Sequence, residues 1–191
     1  MSLLSTRGLT KSYAGVTANS DIDFDLPMGQ TRALIGPNGA GKSTFVGMIS
    51  GRIEATSGTV SFAGEDISPL PAHKRIAKGI AYTFQITSVF GGLSVAENIA
   101  LAARRQLGTA APAKVAEVLE QVSLADRADQ TARDLSYGHQ RILEIGMGLA
   151  QNPRLFILDE PTQGLAEAEI DAFKALIRAL DPATTILLIE H

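Results

Sequence analysis

Apolar residues alternate near the start of the chain, at Ile22, Phe24 and Leu26 of DIDFDL, so the first thirty residues read as short strands closed by the turn PMGQ. Beyond that turn the period keeps changing. Strand-like TRALI (31–35) leads to helix-like STFVGMIS (43–50), strand-like GTVSFAG (58–64), a short basic helix around PAHKRIAKG (71–79) and strand-like IAYTF (80–84). Such alternation predicts an α/β protein. Residues 94 to 151 break the alternation. SVAENIALAARRQ, PAKVAEVLEQV and YGHQRILEIGMGLAQ each carry apolar residues at helical spacing, with no strand between them. This block predicts a helical lobe inserted into the α/β core. The core then resumes with RLFILDEP as a buried strand, AEAEIDAFKALIRAL as an amphipathic helix and TTILLIEH as a further buried strand. The pattern contains no internal repeat or flexible linker, and Gly-Thr-Ala-Ala-Pro at 108–112 reads as a loop between helices.

A chain of 191 residues, 45% of them apolar, can bury one sizeable core, which fits a single domain with an inserted lobe better than two independent domains. Seventeen Lys and Arg against twenty Asp and Glu leave a formal charge of −3 with no long basic run, so nucleic acid is not an expected partner. The absence of cysteine excludes disulfides and Cys-ligated zinc or iron–sulfur centres, and fits a cytosolic protein. The segment MSLLSTRGL lacks the apolar core of a signal peptide. Apolar stretches such as LFIL (155–158) and TTILLI (184–189) are far shorter than the ~20 residues a membrane helix needs. Any link to a membrane is therefore expected to run through a partner protein.

Candidate chemistry centres on GPNGAGKST, Gly36 to Thr44, set between a predicted strand and a predicted helix. That is the context of a phosphate-binding loop. Gly36, Gly39 and Gly41 let the backbone curl so that N–H groups converge on nucleotide phosphates, and the helix adds its positive end. Lys42 would place a charge between the β- and γ-phosphates, Ser43 would offer its hydroxyl to Mg²⁺, and Thr44 would be a secondary phosphate donor. Downstream, Asp159 and Glu160 end an apolar strand that a parallel sheet would bring out beside the loop. Asp159 can hold Mg²⁺ through its water shell, and Glu160 can orient and polarise an attacking water. An exposed acidic strand end is the alternative for both.

With LSYGHQ (135–140) placed between these two motifs, the chain resembles the nucleotide-binding domain of ABC ATPases from Tyr13 to His191. The family's signature is usually LSGGQ, so Tyr137 and His139 depart from it while Ser136 and Gly138 are retained. Ser136 can cap the following helix, and Gly138 can let backbone N–H groups approach an anion at that helix's start. In the family this helix end faces the γ-phosphate bound by the other subunit of a head-to-tail pair, so the resemblance implies two chains and two composite sites. It also implies a P-loop NTPase (RecA-like) core with an N-terminal antiparallel β subdomain and an inserted α-helical lobe. On that reading residues 1–191 form one ABC ATPase domain, with 1–92 and 152–191 as the core and 93–151 as the lobe. The family's ATP-binding residues would here be Tyr13, which resembles the aromatic that stacks on adenine, the loop Gly36, Pro37, Asn38, Gly39, Ala40, Gly41, Lys42, Ser43 and Thr44, and Ser136 with Gly138 in the partner's site. Gln85 in YTFQ resembles the glutamine that reaches Mg²⁺ and the water, which gives Ser43, Gln85 and Asp159 as metal ligands. His191 resembles the histidine that contacts the γ-phosphate, and joins Glu160 and Gln85 as catalytic residues.

Family members continue for several tens of residues past that histidine, so a C-terminally truncated domain with weak or absent hydrolysis is expected. QGLAEAE (163–169) stands where many members have SALD, and leaves the D-loop roles unassigned. Two stretches, TFQITSVFGGLSVAENI (83–99) and LEIGMGLAQNPRLFILDEPTQGL (143–165), resemble ATPases of bacterial importers for branched-chain amino acids, and also those for urea uptake and lipopolysaccharide export. The resemblance thus implies an ATP- and Mg²⁺-dependent ATPase, peripheral on the inner face of the cell membrane, whose partners are integral-membrane permease subunits and a second, identical or related ATPase subunit. A soluble ABC ATPase of DNA repair, translation or iron–sulfur assembly is the alternative in a different class. The coiled-coil heptads and cysteines of DNA-repair members are missing here. A P-loop switch or kinase would have to explain LSYGHQ as chance.

Overall fold

The alternating start of the chain forms two twelve-residue strands, β1 (Ser2–Tyr13) and β2 (Val16–Pro27), in place of the several short ones the pattern suggests. Register shifts between Thr6 and Leu9 and between Leu9 and Lys11 interrupt the alternation without ending the ladder, which explains why the sequence reads as shorter pieces. The computed structural model describes residues 2–83, 88–108 and 111–190. Ala14 and Gly15 join the two strands, both at positive φ (38° and 95°), the conformation whose twist suits a two-residue hairpin.

Next along the chain come β3 (Thr31–Ile35), α1 (Lys42–Ser50), β4 (Ser57–Phe62), β5 (Glu65–Asp66), α2 (Ala72–Ala77) and β6 (Ile80–Thr83). Three helices follow, α3 (Val95–Leu107), α4 (Ala111–Gln121) and α5 (Tyr137–Leu149), and then β7 (Leu155–Asp159), α6 (Glu167–Ala179) and β8 (Thr185–Glu190). Two residues expected in the 108–112 loop, Ala111 and Pro112, instead open α4. Proline is tolerated in a first helical turn because its missing N–H has no partner there.

The strands form two sheets. One has the order β2-β1-β4-β5 and is antiparallel, and the other has the order β3-β8-β7-β6. In the second sheet β8 pairs in parallel with β3 and with β7, in a register that sets Leu34 and Asp159 each opposite Ile189. β4 thus joins the N-terminal sheet, a partnership fixed by Leu4 opposite Phe62 and Thr6 opposite Val60.

By compactness the chain divides into two units, one of Met1–Tyr82, Arg154–Asp159 and Pro182–His191, the other of Thr83–Pro153 and Glu160–Asp181. In the first, α1 is buried from Phe45 to Ser50, and its Phe45, Val46, Met48 and Ile49 share one core with Leu3, Leu4 and Leu9 of β1, Leu155 and Ile157 of β7, and Leu187 and Ile189 of β8. A helix held on so many sides gives the loop before it a rigid base. The second unit holds α3 to α6. α3 opens on a reciprocal cap, in which Ser94 Oγ accepts from Glu97 N and Glu97 accepts from Ser94 N. Buried Asn98 in its first turn bonds the backbone of Phe90 and Ser94 and so fixes the chain entering the helix. The sequence reading puts the helical lobe at 93–151, whereas in compactness terms α6 belongs with α3 to α5.

Candidate functional site

β3 runs straight into the glycine-rich turn, and the turn into α1. Gly39 and Gly41 hold φ of 80° and 83°, a region that a side chain disfavours. At Gly41 there is also no room, since a Cβ would lie 2.4 Å from the Ala18 carbonyl oxygen and 2.8 Å from Asn19 Nδ2. Gly41 therefore serves close packing of the turn against β2 as well as its curl. The first turn of α1 has no side-chain cap and no acidic residue, and Ser43 is exposed, so no capping side chain satisfies its leading N–H groups. The start of such a helix favours an anion. Lys42 folds back over the loop, where its Nζ donates to the carbonyl oxygens of Gly36 and, at 3.0 Å, Pro37. The ammonium is thereby tethered to the loop backbone.

In the same unit Asp159 ends β7 and is 3% exposed. The Tyr82 hydroxyl, on β6, donates to Asp159 Oδ2, and the Arg52 guanidinium lies 3.7 Å from the Tyr82 ring centre. Burial first, and then the bond to Asp159, push the Tyr82 phenol above its ordinary range, so the hydroxyl keeps its proton and remains a donor. The carboxylate is thus aimed by a tyrosine that the motif reading did not single out. The serine hydroxyl at the helix start and the oriented carboxylate at the strand end are each hard oxygen donors. Such donors suit Mg²⁺ held mainly by phosphate oxygens and water. Among the described residues no cluster of three His, Cys, Asp or Glu side chains could hold a metal by itself. Tyr13, at the end of β1, is 46% exposed beneath Lys11, whose Nζ lies 5.0 Å from the ring centre. One face of a half-exposed aromatic is what stacking on a base requires.

In the second unit Ser136 caps α5. Its Oγ accepts from the His139 backbone N–H at 3.3 Å and lies 2.8 Å from His139 Nδ1. The departure from the usual signature at position 139 therefore places an imidazole on the capping serine. The other departure, Tyr137, is 48% exposed and lies against Gly164. Gly138 is required by packing, because a Cβ there would fall 1.9 Å from Glu169 Oε1. Glu169 in turn accepts from Ala166 N at 2.9 Å, at the start of α6. The room that the sequence reading reserved for an approaching anion is bordered by this carboxylate. Glu160, 4% exposed, has φ of 47°. Its carbonyl accepts from Arg141 of α5 and from Gln163 N.

The candidates thus group as Tyr13, the loop from Gly36 to Thr44, and Asp159 in one unit, and Ser136, Gly138 and Glu160 in the other. Gln85 and His191 lie outside the described residues. Tyr82, Arg141 and Glu169 are supporting residues that the sequence reading did not single out; Arg141 is buried in an ion pair with Glu144.

Comparison with known proteins extends along most of the length. The family model described as ABC transporter matches residues 19–163. The high-affinity branched-chain amino acid transport ATP-binding protein BraF of Pseudomonas aeruginosa is 36% identical over 208 aligned residues, covering 99% of this chain and 82% of BraF. LivG of Escherichia coli, which carries the same description, is 34% identical with the same coverage. The lipopolysaccharide export system ATP-binding protein LptB of Haemophilus influenzae is 34% identical over 100% of this chain and 81% of its own. A solved ATP-binding cassette of an ABC transporter superposes with a TM-score of 0.89 at 27% identity, covering all of this chain and 82% of that one.

Proposed function

Since the chain belongs to the ABC transporter family and is an ATPase of that family, we propose that it drives import of branched-chain amino acids through membrane permease subunits. The observation that carries the ATP-driven part of this reading is the uncapped, acid-free first turn of α1 behind a left-handed glycine turn with a lysine folded back on it. Phosphates of ATP bind that turn, Lys42 moves from the loop carbonyls to the β- and γ-phosphate oxygens, and Tyr13 stacks on the base. Ser43 and Asp159 would hold Mg²⁺, which would supply neutralisation of phosphate charge. Glu160 is the general base. It takes a proton from the water that attacks the γ-phosphorus, and the bond from that phosphorus to the bridging oxygen breaks to leave ADP. The γ-phosphate is contacted from a second copy or a related chain by Ser136 and the backbone at Gly138, so two chains close over two nucleotides and the closure moves the permeases.

No described helix is long and apolar enough to cross a membrane. On this proposal the chain sits on the inner face of the membrane through those permeases. The choice of solute rests on similarity to BraF and LivG, and the 34% identity to LptB supports lipopolysaccharide export as a second reading. Two measurements test the proposal. Glu160→Gln is expected to bind ATP and to hydrolyse it at least ~10²-fold more slowly, in keeping with loss of a general base; an unchanged rate removes that role. Cells lacking the chain are expected to lose leucine uptake, and normal uptake with defective lipopolysaccharide export selects the second reading.

A further inference from the structure

Glu160 stands where a glutamate is uncomfortable. At φ of 47° its Cβ crowds the backbone, and unlike Asn or Asp it has no short side chain to bond its own main chain in compensation. Pro161 follows it and disfavours the right-handed alternative. A strained conformation persists only where its surroundings hold it. Here the holder is Arg141, 1% exposed, whose Nη2 donates to the Glu160 carbonyl at 3.1 Å and whose Nε donates to the Pro161 carbonyl at 3.4 Å. Its Nη1 donates to Glu144 Oε2 at 2.7 Å, which neutralises a cation that could not otherwise be buried. Three nitrogens of one planar group thus serve three acceptors, an arrangement that a lysine cannot copy.

From these contacts we infer that Arg141 is a positioning residue for hydrolysis, clamping the left-handed backbone of Glu160 to the helix whose first turn Ser136 caps. This rests on the proposed role of Glu160. Release of the clamp lets Glu160 relax toward extended backbone and swings its carboxylate away from the attacking water. Arg141 lies five residues from Ser136 along a rigid helix, about 7.5 Å at 1.5 Å per residue, so a shift of the helix start is carried to Glu160. One chain thereby couples its contact with the partner's nucleotide to the base that acts on its own.

The test compares the full chain with Arg141→Lys, which keeps the charge pair with Glu144, and with Arg141→Met/Glu144→Met, which removes both buried charges. Hydrogen exchange over residues 160–165 reads the clamp without turnover, because Gln163 N bonds the Glu160 carbonyl. Both variants are expected to exchange there ~10-fold faster with β7 unchanged, and to lose ~10-fold in kcat for ATP at unchanged KM. Exchange that stays at the wild-type rate in both variants overturns the clamp. Faster exchange with unchanged kcat overturns its catalytic meaning. Glu160→Gln serves as the control: if it hydrolyses normally, the base assignment has failed and the exchange result stands separately.

Discussion

Substituting Gly138 by alanine sets two effects of similar size against each other. The new Cβ falls 1.9 Å from Glu169 Oε1 and 2.1 Å from its Cδ, so one of the two must move. The start of α5 is fixed by the Ser136 cap, whereas the Glu169 carboxylate is the far end of a flexible side chain. Glu169 therefore rotates away and gives up its bond to Ala166 N, which costs about 0.5–1.5 kcal/mol, partly returned by water because Ala166 is exposed. Alanine in place of glycine within a helix returns about 0.5–1 kcal/mol. The net change is within about 1 kcal/mol, or about 2–4 °C in melting temperature for a chain of this size. In a Glu169→Ala background the obstruction is gone, and the same substitution should stabilise by the full helix gain of about 0.5–1 kcal/mol. Thermal melting of the four chains of this cycle measures both numbers. Equal destabilisation by Gly138→Ala in the two backgrounds would refute the reasoning, because it would mean that the methyl group meets something other than Glu169.

Two further outcomes follow from buried polar groups. Burial and Asp159 raise the folded-state pKa of Tyr82, so above pH ~10 an unfolded tyrosine loses its proton while the folded one keeps it. Stability from this group is full below that pH and declines as pH rises toward the folded pKa, and Tyr82→Phe should show a shallower alkaline loss in urea melts than wild type; parallel curves would contradict the assignment. Arg75, 4% exposed, donates to the carbonyls of Met48 and Ile49 in the last turn of α1 and to those of Ser68 and Leu70. Arg75→Met should cost about 3 kcal/mol through the lost bonds to these carbonyls, of which that of Met48 keeps Gly51 N as a donor, and an unmoved urea midpoint would rule that out.

What the sequence disclosed follows from how local each feature is. The phosphate loop is contiguous, its glycines answer to backbone angles, and the flanking strand and helix have distinct periods, so loop, β3 and α1 were all legible. β7 and β8 were equally plain as apolar runs. The partnership of β4 was not, because alternation in GTVSFAG is the same whichever sheet receives it, and only the register against β1 decides. The supports of the site were invisible for a related reason. Tyr82 reaches Asp159 across 77 positions and Arg141 reaches Glu160 across 19, and nothing in either local pattern names the partner. Gly138 is read from the sequence as letting backbone N–H groups approach an anion, whereas the neighbour that leaves no room for a Cβ there is a carboxylate from α6, which no local pattern names.

The central claim is that a capped α5 in one chain completes the nucleotide site of another. Sedimentation velocity of the Glu160→Gln chain in MgATP and in MgADP tests it most directly, since unhydrolysed ATP should hold the pair closed. The account predicts a dimer with MgATP and a monomer with MgADP. A chain that binds ATP and remains monomeric would contradict it.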